Sequence, residues 1–259
     1  MTRRNLAFAE EEPWRPPAHS SPATRLGRIR AAGRRTLDLQ AASVWRDLRE
    51  LLPAVRGTLV DVGAGAQPYR GLLEPSVSYR AIDRADARDR FGYEVPDTTY
   101  FEGDVWPVED GSADVVLATE TLEHVPDPRG FLAEAHRCLR QDGRLVITVP
   151  FAARWHYVPH DYWRFTPSSL RLLLEESGFG DVHVQARGNA FTVAAYKLIG
   201  VISPLLLPQH GGMVRRLSAF VVGLALLPLA LLAAAAAHLS LRWDGRADCL
   251  GWTATAVRR

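Results

Sequence analysis

Apolar and polar positions change period several times along this chain. Between residues 36 and 52, Leu37, Leu39, Ala42, Val44, Trp45, Leu48, Leu51 and Leu52 recur at mixed three- and four-residue intervals, the spacing of one helix face, and Pro53 closes the pattern. Short apolar runs then take over: TLVDVGA (58–64), YRAID (79–83), TTYFEG (98–103), ADVVLAT (113–119) and GRLVITVP (143–150). Each is rich in Val, Ile or aromatics and bounded by turn residues, which predicts strands. The segments PYRGLLE (68–74) and PRGFLAEAHRCLRQ (128–141) read as helices between them. So does PSSLRLLLEESG (167–178), with Pro167 in its first turn and Gly178 at its end, and DVHVQARG (181–188) then alternates as a strand. Near-continuous apolar strands alternating with helices predict an α/β fold, a doubly wound and mostly parallel sheet covered on both faces.

Two segments break that rhythm. Residues 191–207 are mostly apolar, and Leu217 to Leu241 form 25 residues with no formal charge when His238 is neutral, long enough to cross about 30 Å of hydrocarbon. The last ten residues, LGWTATAVRR (250–259), alternate again. At the other end, residues 1–35 are rich in Pro, Ser and Arg without a sustained apolar period, and predict a flexible basic arm. No apolar run follows its basic residues, so it does not read as a secretory signal.

Composition sharpens this picture in three ways. A chain of 259 residues, 47% hydrophobic and 23% charged with a net charge of +2, supports one domain of about 200 residues plus extensions and excludes wholesale disorder. Lys197 is the single lysine against 30 arginines, a compositional bias rather than a phosphate-binding pattern, so no nucleic-acid partner is expected. Cys138 and Cys249 lack CxxC spacing, which argues against a disulfide framework or a cysteine-built metal site and fits a reducing, cytoplasmic compartment.

In a parallel sheet, ligands sit beyond the carboxyl ends of the strands, so the loops there carry the chemistry. VDVGAGAQP places Gly63 and Gly65 where a tight turn lets backbone approach a ligand, although GxG alone also suits an ordinary strand-to-helix turn. Asp83 ends the second strand, where a carboxylate can accept both hydroxyls of a ribose. Asp104 follows the third strand and can accept an exocyclic amine or cap a turn. Pro68 occupies the third glycine position of GxGxxG, which works against a nicotinamide dinucleotide.

The ordered series VDVGAG, Asp83, GDVWPVEDGSADVVLATETLEHVPDP and DGRLVITVPF, over residues 57–189, resembles the class I S-adenosylmethionine-dependent methyltransferases of the methyltransferase type 11 group. The resemblance implies a Rossmann-like sheet of seven strands whose last strand is antiparallel. It also implies that Gly63 and Gly65 approach the methionyl part of S-adenosyl-L-methionine, Asp83 the ribose, and Asp104 with Val105 the adenine. Thr119, Glu120 and Thr121 would line the methionine side, and Asp61 matches an acidic position near the cofactor's amino group. Gln67 departs from the pattern, where many members have a third glycine. Glu120, Glu123 and His124 read as a recurrent structural and cofactor-side element, with no metal expected.

After the fifth strand, RWHYVPHDYWRFTP (154–167) crowds titratable and aromatic groups into one loop. His156 and His160 have the four-residue spacing of a helical metal pair, but Pro159 opposes a helix there. The loop reads instead as an acceptor site: His160 or His156 as general base, Asp161 orienting the imidazole, and Arg164 holding an anionic acceptor group, against an alternative in which the loop merely caps the core. HDYWRFT is similar to members of the group associated with glycan or cell-envelope biosynthesis.

With DVHVQARG as strand six and residues 244–259 supplying strand seven, residues 191–243 become an apolar helical hairpin inserted into a methyltransferase domain that begins at residue 36 and runs to 190. Both flanking strands must rejoin the sheet, which excludes a single membrane crossing. The hairpin is read as contacting the inner face of the cell membrane, with Arg215, Arg216, Arg242 and Trp243 at the interface; the alternative is a lid or dimer interface. The expected function is transfer of a methyl group to an oxygen of an envelope-related glycan or lipid-linked acceptor. A nicotinamide oxidoreductase and a non-catalytic cofactor-binding scaffold are the alternatives.

Overall fold

The computed structural model describes residues 24–92, 94–208, 211–241, 243, 245 and 248–259. Seven strands, β1 (Thr58–Val62), β2 (Ser78–Arg84), β3 (Thr98–Phe101), β4 (Ala113–Thr119), β5 (Leu139–Pro150), β6 (Phe179–Arg187) and β7 (Gly251–Arg258), form one sheet in the order β3-β2-β1-β4-β5-β7-β6. All neighbours are parallel except β7, which runs antiparallel to both β5 and β6. This is the Rossmann-like methyltransferase sheet that the resemblance implies.

The strands are apolar along their length because both faces are covered. Helices α4 (Pro128–Cys138) and α5 (Pro167–Glu176) pack on one face through Leu132, Ala135, Leu170 and Leu174. Helix α2 (Leu39–Leu51) covers the other through Val44 and Leu48, against Leu59, Leu117 and Val146. Thr166 caps α5 by accepting from Ser169 N–H, with Pro167 at its first turn, and Gly178 takes a left-handed φ of 89° just past its end.

Three elements differ from the sequence pattern. Residues 68–74 hold only a 3₁₀ turn at Arg70–Leu72, because Pro68, Gly71 and Pro75 leave too short a run to nucleate an α-helix. The helix expected over 128–141 stops at Cys138, and Leu139, fully buried, turns into the sheet beside Ala113, so burial of this side chain outweighs one more helical turn. The stretch read as a flexible arm to residue 35 carries helix α1 (Arg25–Leu37), capped by Thr24; residues 1–23 lie outside the described residues. No residue of α1 is buried, and Leu26, Ile29 and Leu37 are exposed. A short helix α3 (Ala87–Phe91) follows β2.

Between β6 and β7, helices α6 (Ala190–Leu206) and α7 (Met213–Ser240) form the helical hairpin. Arg187 pairs with Gly251 in the sheet, so both ends of the hairpin leave from the same corner. Asn189 fixes that corner: its side chain caps α6, and its Nδ2 donates to Ser240 O at 2.7 Å. The seam uses small residues, with Gly223 against the Leu205 backbone and Ala230, Ala234 and Ala237 buried. The alanine run is thus a packing surface. The other side of α7 is uncovered, with Leu217, Leu224, Leu231, Leu232 and Leu239 all exposed. Arg242 lies outside the described residues.

Candidate active site

The carboxyl ends of β1 to β5 open into one cavity of about 1110 Å³. Its first wall is built on backbone. Gly63 N–H and Ala64 N–H donate to Ile82 O at 3.0 and 3.3 Å, and Gly65 N–H donates to Asp83 Oδ2 at 3.0 Å, which pins the β1 loop to the end of β2. Gly63 has a φ of 66°, and a Cβ there would stand 2.4 Å from Thr121 Cγ2, so only glycine fits. Gln67 adopts a φ of 53°, a backbone that glycine takes freely; here Gln67 Nε2 donates to Thr98 Oγ1 (3.0 Å) and its Oε1 accepts from Arg70 Nη1 (3.1 Å). The departure from glycine is therefore compensated by the residue's own side chain.

Asp83 lies in this wall with one backbone N–H on each carboxylate oxygen, from Gly65 and Arg84. Burial raises its pKa against those hydrogen bonds. Each oxygen keeps a second lone pair, which is what a ribose diol needs. Asp104, Thr119, Glu120 and Thr121 also line the cavity. Two expected cofactor residues are not among the residues that line it. Val105 points outward, 71% exposed. Asp61 is buried behind the loop, accepting from Tyr79 Oη at 2.7 Å, and burial pushes its carboxyl up to about 7. The space, the glycine cradle and the carboxylate fit S-adenosylmethionine. They fit a dinucleotide poorly, because a pyrophosphate seeks the N-terminus of a helix after β1 and here only the three-residue 3₁₀ turn follows.

The second wall comes from the loop 151–166, which carries no helix. His156 is buried and lines the cavity, with Nδ1 2.9 Å from Arg154 O and 3.2 Å from Asp161 Oδ2. Two acceptors at Nδ1 place the proton there and make Nε2 the basic nitrogen. Asp161 is held in turn by Arg164, whose Nη2 donates to Oδ2 at 2.6 Å. Burial alone would raise the Asp161 pKa, but hydrogen bonds from His156 and Arg164 outweigh it and hold the carboxyl well below its usual range. Arg164 is thereby committed to Asp161, where the sequence suggested an anion-binding role. His160 lies outside the residues lining the cavity, with Nδ1 3.2 Å from Tyr162 Oη; its backbone O accepts from His124 Nδ1 at 2.7 Å. The geometry thus separates the two histidines that spacing alone left equivalent.

His124 also lines the cavity, and burial followed by the charge of His156 pushes its imidazole down to about 4. Behind it, Glu123 is fully buried, with neither carboxyl oxygen hydrogen-bonded among the described residues and Oε1 3.6 Å from His124 Nε2, and burial followed by Glu120 raises its pKa well above normal. Ligand-type atoms of Glu123, His124 and His156 lie within 4.8 Å of one another. The β4 loop thus puts a neutral acid beside a neutral imidazole.

Sequence reasoning missed Arg187. It is fully buried at the end of β6, with Nη2 on Glu120 Oε1 (2.7 Å) and Val149 O (2.9 Å) and Nη1 on Ser43 Oγ (3.0 Å). A lone arginine in an alternating strand carries no signal of this. It also missed the third side of the cavity, supplied by α1, α2 and α6.

Comparison with known proteins agrees with this geometry. The family described as "Methyltransferase domain" matches residues 37–184, more than half of the chain. A 27-O-demethylrifamycin SV methyltransferase of Amycolatopsis mediterranei (strain S699) is 32% identical over 125 residues, covering 43% of this chain and 46% of that protein. An uncharacterised 37.1 kDa protein in transposon TN4556 of Streptomyces fradiae is 46% identical over 56 residues, 22% of this chain and 15% of its own. The chain thus spans less than half the length of the curated relatives it matches. Among solved structures, an S-adenosylmethionine-dependent methyltransferase of Archaeoglobus fulgidus superposes with a TM-score of 0.51 at 15% identity, over 85% of this chain and 94% of its own. A possible histamine N-methyltransferase of Thermotoga maritima does so with a TM-score of 0.50 at 16% identity, over 90% and 97%. At these identities the likeness concerns the fold.

Proposed function

This chain belongs to the methyltransferase-domain family, and on that premise we propose that it is an S-adenosylmethionine-dependent methyltransferase acting on a hydroxyl of an envelope-related glycan or lipid-linked acceptor. The observation that carries the reading is one cavity with two equipped walls: the Gly63–Gly65 cradle with Asp83 on one side, and the His156–Asp161–Arg164 chain on the other.

Gly63, Gly65, Asp83, Asp104 and the Thr119–Thr121 loop would hold the cofactor, which when bound supplies a methyl group on a sulfonium, an electrophile that needs no metal. What remains for the protein is to position the acceptor oxygen and receive its proton. His156 takes that proton on Nε2. Asp161 stabilises the imidazolium so formed and fixes the tautomer, and Arg164 holds Asp161 in place; both are positioning residues. Neutral Glu123 and His124 add no competing negative charge beside them.

The hairpin supports an acceptor met at a membrane. Helix α7 has 28 residues, about 42 Å of helix, and only 22% of its most apolar 18-residue window is buried inside the protein. Its ends return to one sheet corner, so we place it along the inner leaflet rather than across the bilayer. Helix α1 lies beside α7, with His238 Nε2 3.0 Å from Thr36 O, and combines five arginines with exposed Leu26 and Ile29, the two components of an interfacial helix.

The test is titration of the purified chain with S-adenosylhomocysteine and with NAD, followed by labelled methyl transfer into cell-envelope extract. Binding of the former, no binding of NAD, and label in the lipid or glycan fraction are expected. Absence of S-adenosylhomocysteine binding would overturn the reading, and binding without any transfer would favour a non-catalytic scaffold.

A further inference from the structure

The cavity is larger than the cofactor and a small hydroxyl acceptor require. About 1110 Å³ exceeds the roughly 300–1,000 Å³ of ordinary small-molecule sites, and the lining extends onto a third side. There the wall continues past the His156 loop along Gly33, Leu37 and Ala41 of α1 and α2, along Ile199 and Ser203 of α6, and onto Leu207 just past its end. Ile199 is buried, whereas Leu37 is 43% and Leu207 78% exposed. The passage therefore runs from a covered interior to an open rim. In this wall the carbonyl of Gly200 is already taken, accepting from Arg154. Leu37 and Leu207 give the rim exposed apolar side chains, with Arg34, Asp38 and Gln40 interspersed where α1 meets α2, and the rim adjoins the hairpin whose far face carries exposed leucines.

We propose that this passage is a binding channel for a hydrocarbon chain, acyl or isoprenoid, of the acceptor, open laterally between α1 and α6 toward the leaflet. This rests on the methyltransferase reading above and names the acceptor class that reading leaves broad. The energetics favour lateral access. Withdrawing a chain from lipid into water costs about 0.8 kcal/mol per CH₂, whereas sliding it from lipid into an apolar channel costs almost nothing. A site that must bring a lipid-borne hydroxyl to His156 gains by keeping the chain continuous with the hydrocarbon it came from. Arg34 and Arg154 also stand in the wall of the same cavity.

The probe is 11-(dansylamino)undecanoic acid, with dansylglycine as the short-chain control, added to the full chain saturated with S-adenosylhomocysteine. Two variants fill the channel: Ser203→Trp on the exposed side of α6, and Gly33→Trp on α1, where a Cβ would meet nothing within 4 Å. The long probe is expected to bind with a blue-shifted emission and the short one not at all. Each variant is expected to lower the long probe's affinity at least tenfold while S-adenosylhomocysteine affinity stays within twofold. No binding of the long probe, or binding that neither variant weakens, overturns the channel. So does a second copy of the chain covering the rim, seen in sedimentation as a dimer that Gly33→Trp dissociates without any probe binding. Loss of S-adenosylhomocysteine binding in the unmodified chain would instead overturn the methyltransferase reading, so the two failures are distinguishable.

Discussion

The two ends of the cavity are made differently. At the cofactor end, the contacts are backbone to backbone or backbone to carboxylate, such as Gly63 and Ala64 on Ile82 O and Gly65 on Asp83. At the other end, they are side chains on the loop 151–166 and on helices α1 and α6. The family match, residues 37–184, takes in the first end and that loop and leaves out α6 and nearly all of α1. The difference teaches that the first end is held by the sheet's own backbone, whereas α1 and α6 close the other from the sheet's margin, where an insertion disturbs no strand. On the reading proposed above, that margin is where an acceptor would be chosen.

That contrast can be broken at several strengths. The largest effect is expected for His156→Ala, which should lower turnover by about 10² to 10⁴ while S-adenosylhomocysteine affinity stays within twofold, as separate kinetic and calorimetric titrations would show. A matching loss of cofactor affinity would mean the two ends are not separable. Next comes the buried carboxyl under the cofactor loop. Asp61 has a folded pKa of about 7 against about 4 in the unfolded chain, so the folded state binds the extra proton between those values. Stability contributed by this group therefore falls as pH rises from about 4 to about 7, by up to about 4 kcal/mol, and levels off above. Urea midpoints of Asp61→Asn measured across that range should lack this component, and identical slopes would contradict it. Gly63→Val should weaken S-adenosylhomocysteine binding at least ~100-fold, because the new side chain must displace Thr121 from a left-handed backbone. The smallest effect is expected at the hairpin's base: Asn189→Ala removes the α6 cap and the bond to Ser240 O, a loss of about 1–2 kcal/mol of stability read as a lowered thermal midpoint, with cofactor affinity unchanged.

Much of this was legible in the residues. The strands declared themselves by length and apolar continuity, and Gly63, Gly65 and Asp83 by their order along the chain. Where the pattern misled, tertiary burial had decided, as at Leu139, or a cluster of Pro and Gly had kept a segment too short, as at residues 68–74. His156 and His160 were equivalent by spacing, and only the fold shows which ring faces the cavity, because that depends on where Asp161 and Arg164 meet. The third wall was in principle within reach. Strand β6 runs parallel to β5, so whatever follows it must leave from the ligand end of the sheet, and a hairpin there borders the site by topology alone. Arg187 gave no such hint, since its partners Ser43, Glu120 and Val149 come from three distant stretches of chain.

Lys197, where α6 reaches back to Ala152 O, is the only lysine in the chain. Partial burial, together with Arg154 and Arg164, lowers the pKa of its amine, which makes it more reactive than an ordinary lysine near neutral pH. An amine-directed dye therefore meets one side-chain amine in the whole sequence, at an internal position. That position lies at the junction between the loop 151–166 and the hairpin, so its fluorescence would report any ligand-dependent change in how α6 meets that loop.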